Sequence, residues 1–141
     1  MNTIRDCMTT NIATVSPNQT VKEAAAIMNQ QNVGSIPVVD SGQLKGIITD
    51  RDITTRTTAE GRDGNTPISQ VMSTNLVSGH TSMSASEAAK VMAQHQIRRL
   101  PIVENNQLVG IVALGDLATD QMSNEAAGEA LTNISEQHKT T

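Results

Sequence analysis

The chain has 141 residues, 37% hydrophobic and 17% charged, with a formal charge of −4 and a pI near 5.2. That length holds one domain, or two half-size units that must share a core, and the composition is that of a folding chain rather than a disordered one. The acidic balance argues against duplex nucleic acid, the lack of Phe, Tyr and Trp removes the platform on which single-stranded bases stack, and no apolar run approaches the ~20 residues of a membrane span. Residues Met1 to Asp6 lack the apolar stretch of a secretory signal, and the lone Cys7 suits a reducing compartment, so the expected location is cytoplasmic, with neither nucleic acid nor membrane as partner.

Taken in chain order, Ala13-Thr14-Val15 reads as a brief extended piece. Thr20 and Glu23 then form an S/T-x-x-E capping box, and Val21, Ala24, Ala25 and Met28 fall at helical spacing behind it, predicting a helix with one apolar stripe. Two β-branched runs follow, Ile36 to Val39 and Leu44 to Ile48, joined by the hairpin-like turn Asp40-Ser41-Gly42-Gln43. A short helix is expected from about Asp50, and Ala59 to Thr66 is a polar, glycine-containing linker. The series then recurs: Leu76-Val77-Ser78 extended, Ser84 with Glu87 as a capping box, Ala85, Ala88, Ala89 and Met92 as the stripe. Leu100 to Val103 and Leu108 to Val112 are the strands, Glu104-Asn105-Asn106-Gln107 the turn, and a short helix begins at about Leu114. Pro37 and Pro101 sit at the start of their strands, where a missing N–H is tolerated. Beyond Ser123, Ala126, Ala127, Ala130 and Leu131 suggest a docked helix that frays at its end. Without aromatics, the seven methionines read as core filler.

The recurrence is a duplication. Sliding residues 8–53 onto 72–117 aligns them without a gap, with about fifteen identities that include Met8 on Met72, Pro37 on Pro101, Gly46-Ile47 on Gly110-Ile111 and Asp52 on Asp116. The expected organisation is a first unit over residues 1–58, a linker over 59–66, a second unit over 67–122 and a tail over 123–141. The fold class is mixed α/β (α+β), each unit running strand, helix, strand, strand, helix, with two copies closed on each other rather than stacked in an open array.

The chemistry concentrates where the second strand of the first copy meets its short helix. Thr49 and Asp52 bring a hydroxyl and a carboxylate to a helix N-terminus, which favours phosphate oxygens, and a carboxylate can accept from a ribose diol. The structural alternative is that Thr49 and Asp50 cap the helix while Asp52 answers its dipole, with Arg51 and Arg56 on a solvated face. Arg98 and Arg99 are suited to gripping phosphate, or to surface ion pairs. His80, His95 and His138 have no partner at metal-ligand spacing, so no metal site is expected. No nucleophile stands beside an evident base and no phosphate-loop motif occurs, so no catalysis is expected; Asp50 is the one candidate base for a hydrolase acting on a nucleotide.

Read together, Met8-Thr9-Thr10, Val71-Met72-Ser73, the strings SIPVVD and RLPIVE, and above all GIITDRDI and GIVALGDL resemble a CBS-domain pair. The resemblance covers about residues 4–120 and is narrowest to the small stand-alone bacterial type, in which TDRD is followed by an AEGRDG-like linker and HQIRRLP. It implies a pseudo-two-fold disc, a homodimer, and an adenosine-containing ligand such as AMP, ADP, ATP or S-adenosylmethionine in the cleft between copies. It assigns Asp52 to the ribose hydroxyls, Thr49 to phosphate or ribose, and the backbone around Thr14-Val15 and Ile36-Pro37 to the adenine edge, and it counts Ser35 among the ligand-binding residues. Arg98 and Arg99 are assigned to phosphate from the second copy. Ala113 stands where Thr49 stands while Asp116 is kept, which implies one competent site and one degraded site carrying Asp116 and Pro101. The function so implied is a non-catalytic sensor that needs no cofactor and modulates an unidentified effector protein; the alternative, which Ala113 favours, is a ligand-free dimeric scaffold with vestigial clefts.

Overall fold

In the computed structural model, which describes residues 3–119, a one-turn helix α1 (Ile4–Cys7) is followed by α2 (Val21–Gln31), strands β1 (Ser35–Asp40) and β2 (Gln43–Thr49), and α3 (Asp50–Ile53), which widens into a π-turn over Thr54–Thr58. After a 3-10 turn at Ile68–Gln70 come α4 (Ala85–His95), β3 (Arg99–Glu104), β4 (Gln107–Ala113) and α5 (Leu114–Thr119). The helix expected at Ala126 to Leu131 lies outside the described residues.

Local chemistry accounts for the element ends. Thr20 Oγ1 accepts the Glu23 N–H at 3.2 Å and Ser84 Oγ accepts the Glu87 N–H at 3.1 Å, so α2 and α4 start where their caps stand. Both stop on a left-handed residue, Asn32 and Gln96, a common way to close the last turn. The hairpin turns place Ser41 and Gly42, and Asn105 and Asn106, at positive φ, the type I′ geometry whose twist matches the strands it joins. β1 pairs with β2 from Ser35↔Thr49 to Asp40↔Gln43, and β3 with β4 from Arg99↔Ala113 to Glu104↔Gln107. Both ladders shift register at the same place, beside Lys45 and beside Val109.

The extended pieces ahead of the helices are reduced to single bridges. Val15 alone pairs, in parallel, with Val38, and the second copy pairs at Gly79 with Ile102, just beyond the expected Leu76-Val77-Ser78. Pro17, which has no N–H to extend pairing, follows Val15 closely. Gly79 is chosen by proximity, since a Cβ there would come within 2.6 Å of Met83 Sδ. The apolar stripe of α2 is also narrower than expected: Val21, Ala24 and Met28 are buried while Ala25 is exposed, lying about 100° round the helix from Ala24. In α4 all four expected positions are buried.

Two compact units emerge, and they cut across the repeats. One comprises residues 13–76; the other joins residues 3–12 to residues 77–119. In the first, Ser73 and Ile47 exchange main-chain bonds at 2.8 and 2.9 Å, and in the second Thr9 and Ile111 do the same at 2.8 and 2.9 Å. The 3-10 turn docks through Ile68 N–H to Gln19 O at 2.8 Å, and α1 docks through Ile4 N–H to Met83 O at 2.9 Å. Each repeat thus completes its unit with the leading segment of its twin. The core of the 13–76 unit gathers Val15, Val21, Ala24, Met28, Ile36, Val38, Ile48, Ile68 and Val71; that of the other centres on Ile4, Met92, Leu100, Ile102, Val112, Leu114 and Leu117. Methionines lie close over glycines: a Cβ on Gly46 would lie 2.9 Å from Met72 Sδ, and one on Gly110 2.6 Å from Met8 Sδ.

Candidate functional site

Within the 13–76 unit, β2 delivers Thr49 in extended conformation directly to the start of α3. Its Oγ1 accepts the Asp52 N–H at 2.9 Å while Asp52 Oδ2 accepts the Thr49 N–H at 3.1 Å, a reciprocal capping box. The pair that the sequence singles out for a ligand is therefore also the pair that starts the helix. Asp52 is buried at 8% exposure, and its carboxylate is further engaged: Ser73 Oγ donates to Oδ1 at 3.1 Å and Oδ2 at 3.2 Å, and Arg56 Nε stands 3.9 Å from Oδ1. Asp50, the candidate base, accepts the Arg51 N–H at 2.8 Å and lies against Gly34, where a Cβ would meet Asp50 Oδ2 at 3.1 Å.

The other expected contacts of this unit collect around the same strand ends. Ser35 is the ladder partner of Thr49. Val15 N–H donates to Pro37 O at 3.1 Å and Val39 N–H to Val15 O at 2.8 Å, which brings the Thr14-Val15 and Ile36-Pro37 backbones side by side. Thr14 is exposed, whereas Val15 and Ile36 turn their side chains into the core, so only their backbones are open to a ligand role.

The unit of residues 3–12 and 77–119 repeats the frame without the threonine. Leu114 N–H donates to Arg98 O at 2.8 Å, as Asp50 N–H does to Gly34 O at 2.9 Å, but Ala113 supplies no capping oxygen. Arg98 is exposed, Arg99 half-buried opposite Ala113, and Asp116 exposed where Asp52 is buried. Burial pulls the Arg99 guanidinium below its usual value and the Asp116 carboxylate opposes that pull; an arginine keeps its charge throughout. Pro101 is buried, its carbonyl accepting the Gly79 N–H at 2.9 Å.

Two contacts around Asp52 do not follow from the sequence pattern. Arg56, read as part of a solvated face, is indeed exposed, yet its Nη1 donates to Val71 O at 3.3 Å and Met72 O at 3.2 Å; its spacing of four from Asp52 was the available signal. Ser73 lies 21 residues from Asp52, and no local pattern announces it. Among the described residues no three His, Cys, Asp or Glu gather to hold a metal ion, and no helix is long and apolar enough to cross a membrane.

Against known proteins, the CBS domain family model matches the chain twice, over residues 4–57 and 68–122. The CBS domain-containing protein YhcV of Bacillus subtilis (strain 168) is 68% identical over 138 residues, 98% of this chain and 99% of the relative. Hypoxic response protein 1 of Mycobacterium tuberculosis is 34% identical over 120 residues, 84% of each chain. The structure of Hypoxic Response Protein I with two coordinated zinc ions matches with a TM-score of 0.76 and 33% identity over 84% of this chain and 98% of that one. CBSX2 in complex with AMP shares the fold, with a TM-score of 0.76 and 24% identity over 86% of this chain and 96% of that one.

Proposed function

The chain belongs to the CBS domain family, and on that premise we propose that it is a non-catalytic regulatory module that binds an adenosine-containing ligand and, as a homodimer, alters the activity of an effector protein. The ligand class is AMP, ADP, ATP or S-adenosylmethionine. The observation that carries this reading is the Thr49–Asp52 pair, a hydroxyl and a carboxylate each fixed by the other residue's main-chain N–H at a helix start. A carboxylate accepts from a diol, the first turn of a helix favours an anion, and the aligned Thr14-Val15 and Ile36-Pro37 backbones offer polar edges to a base. CBSX2, which holds AMP, supports the capacity of this fold for such a ligand. The competent site is the one in the 13–76 unit; the place of Asp116 and Pro101, which lacks the threonine, is the degraded one.

One observation favours the scaffold alternative: the Asp52 carboxylate already has Thr49 and Ser73 as donors. Absorbance decides between them, because a chain with no Phe, Tyr or Trp is nearly transparent in the near ultraviolet. The sensor reading expects the purified protein either to carry a band near 260 nm that leaves on denaturation, or to bind one of the four ligands in calorimetric titration. A clear spectrum with silence from all four establishes the scaffold.

A further inference from the structure

Asp52 is gripped from two directions that differ in origin. Thr49 lies on its own stretch of chain, whereas Ser73 arrives from the second repeat on a segment that is itself firmly held. Main-chain bonds to Ile47 run both ways at 2.8 and 2.9 Å, Met72 packs over Gly46, and Arg56 donates to the carbonyls of Val71 and Met72. The Ser73 hydroxyl is thus delivered to both carboxylate oxygens by a fixed backbone. A carboxylate offers about four lone-pair sites. The Thr49 N–H and the Ser73 hydroxyl leave some of these open, and 11% of the Asp52 side-chain surface still reaches solvent.

We propose that Ser73 is a positioning residue for the nucleotide site: its hydroxyl sets the plane of the Asp52 carboxylate for a ribose diol, and couples occupancy of that carboxylate to the Val71–Ser73 segment. This inference rests on the nucleotide reading above. The two donors on Asp52 then serve as a rigid mount, and the diol takes the remaining lone pairs. Because the mount comes from the other repeat, a diol that draws on Asp52 also pulls on the segment that begins the second copy.

The test is calorimetric titration of the native protein, Ser73→Ala and Ser73→Thr with two probes, AMP and its 2′,3′-dideoxy analogue, which lacks both ribose hydroxyls. Loss of one hydrogen bond to a charged group is expected to weaken AMP about tenfold in Ser73→Ala, leave the dideoxy analogue unchanged, and be rescued in Ser73→Thr. Threonine suits this backbone, since Thr9 occupies the equivalent position and makes the same pair of main-chain bonds. Should Ser73→Ala fail to fold, Ser73→Val against Ser73→Thr, matched in shape and differing in the hydroxyl, gives the same comparison. Undiminished AMP binding without the hydroxyl, or equal loss of both probes, overturns the positioning role and leaves the nucleotide reading standing. Where the native protein takes ADP, ATP or S-adenosylmethionine in place of AMP, that ligand and its 2′,3′-dideoxy form are the two probes; silence from all four ligands overturns both readings.

Discussion

In the proposed reading Asp52 does two jobs with one carboxylate, holding Thr49 and Ser73 and accepting from the ligand, and its substitution separates from that of its twin for this reason. Asp52→Ala removes the acceptor for Thr49 N–H and for Ser73, so it should abolish AMP binding in calorimetry and lower the melting temperature as well, each lost hydrogen bond to the carboxylate costing about 1 kcal/mol or more. Asp116→Ala, at an exposed carboxylate with no threonine cap, should change AMP binding little; equal losses at both positions would overturn the one-site reading. Glycines divide in the same way. A Cβ on Gly46 would meet the Ser73 carbonyl oxygen at 2.8 Å, whereas one on Gly115 meets nothing within 4 Å. Gly46→Ala should therefore destabilise by roughly 1–3 kcal/mol through overpacking against backbone. Gly115→Ala, inside α5, should stabilise by up to about 1 kcal/mol. Thermal melts that move both variants in one direction would refute this account. At this scale the sequence announces Thr49 and Asp52 because they are three residues apart, which is the span of a helical turn. Ser73 is silent because what brings it to Asp52 is a strand pairing with Ile47, formed across the length of α3, the π-turn and the linker.

Among the elements, the starts of α2 and α4 were legible to the residue, since a capping hydroxyl and a carboxylate three places on mark a helix start wherever they occur. The hairpin turns were equally open to reading, Gly42, Asn105 and Asn106 being residue types that tolerate positive φ. The π-turn at Thr54–Thr58 was not. Nothing in TTRTT encodes one extra residue per turn, and the register there answers to packing: Thr57 is turned inward at 4% exposure, and its Oγ1 is buried with no hydrogen-bond partner. A buried hydroxyl left unpaired costs about 1–3 kcal/mol. Thr57→Val, which keeps the shape and deletes the hydroxyl, should accordingly raise the melting temperature. A lower midpoint would mean that the hydroxyl has a partner in solution.

At the scale of the molecule, the duplication is plain from the aligned identities, but the way the copies share their parts is not. Hydrophobic periodicity places helices and strands; it carries no information on which copy a short leading segment will complete. Ile4 and Ile68 make the point. They are repeat equivalents, both fully buried, yet Ile4 packs among Met92, Leu100, Leu114 and Leu117 while Ile68 packs among Val21, Ile36 and Ile48. The consequence is a crossed pattern of damage. Truncating a buried isoleucine to alanine costs about 2–5 kcal/mol, and local stability within a protein is not uniform. Ile4→Ala, changed in the first repeat, should therefore raise amide hydrogen exchange chiefly in α4, β3 and β4 of the second. Ile68→Ala, changed in the second, should loosen α2, β1 and β2 of the first. Exchange measured amide by amide reads this directly: if each variant loosened the helix and hairpin of its own repeat instead, the leading segments would belong to the contiguous halves, and Ser73 would have no route to Asp52.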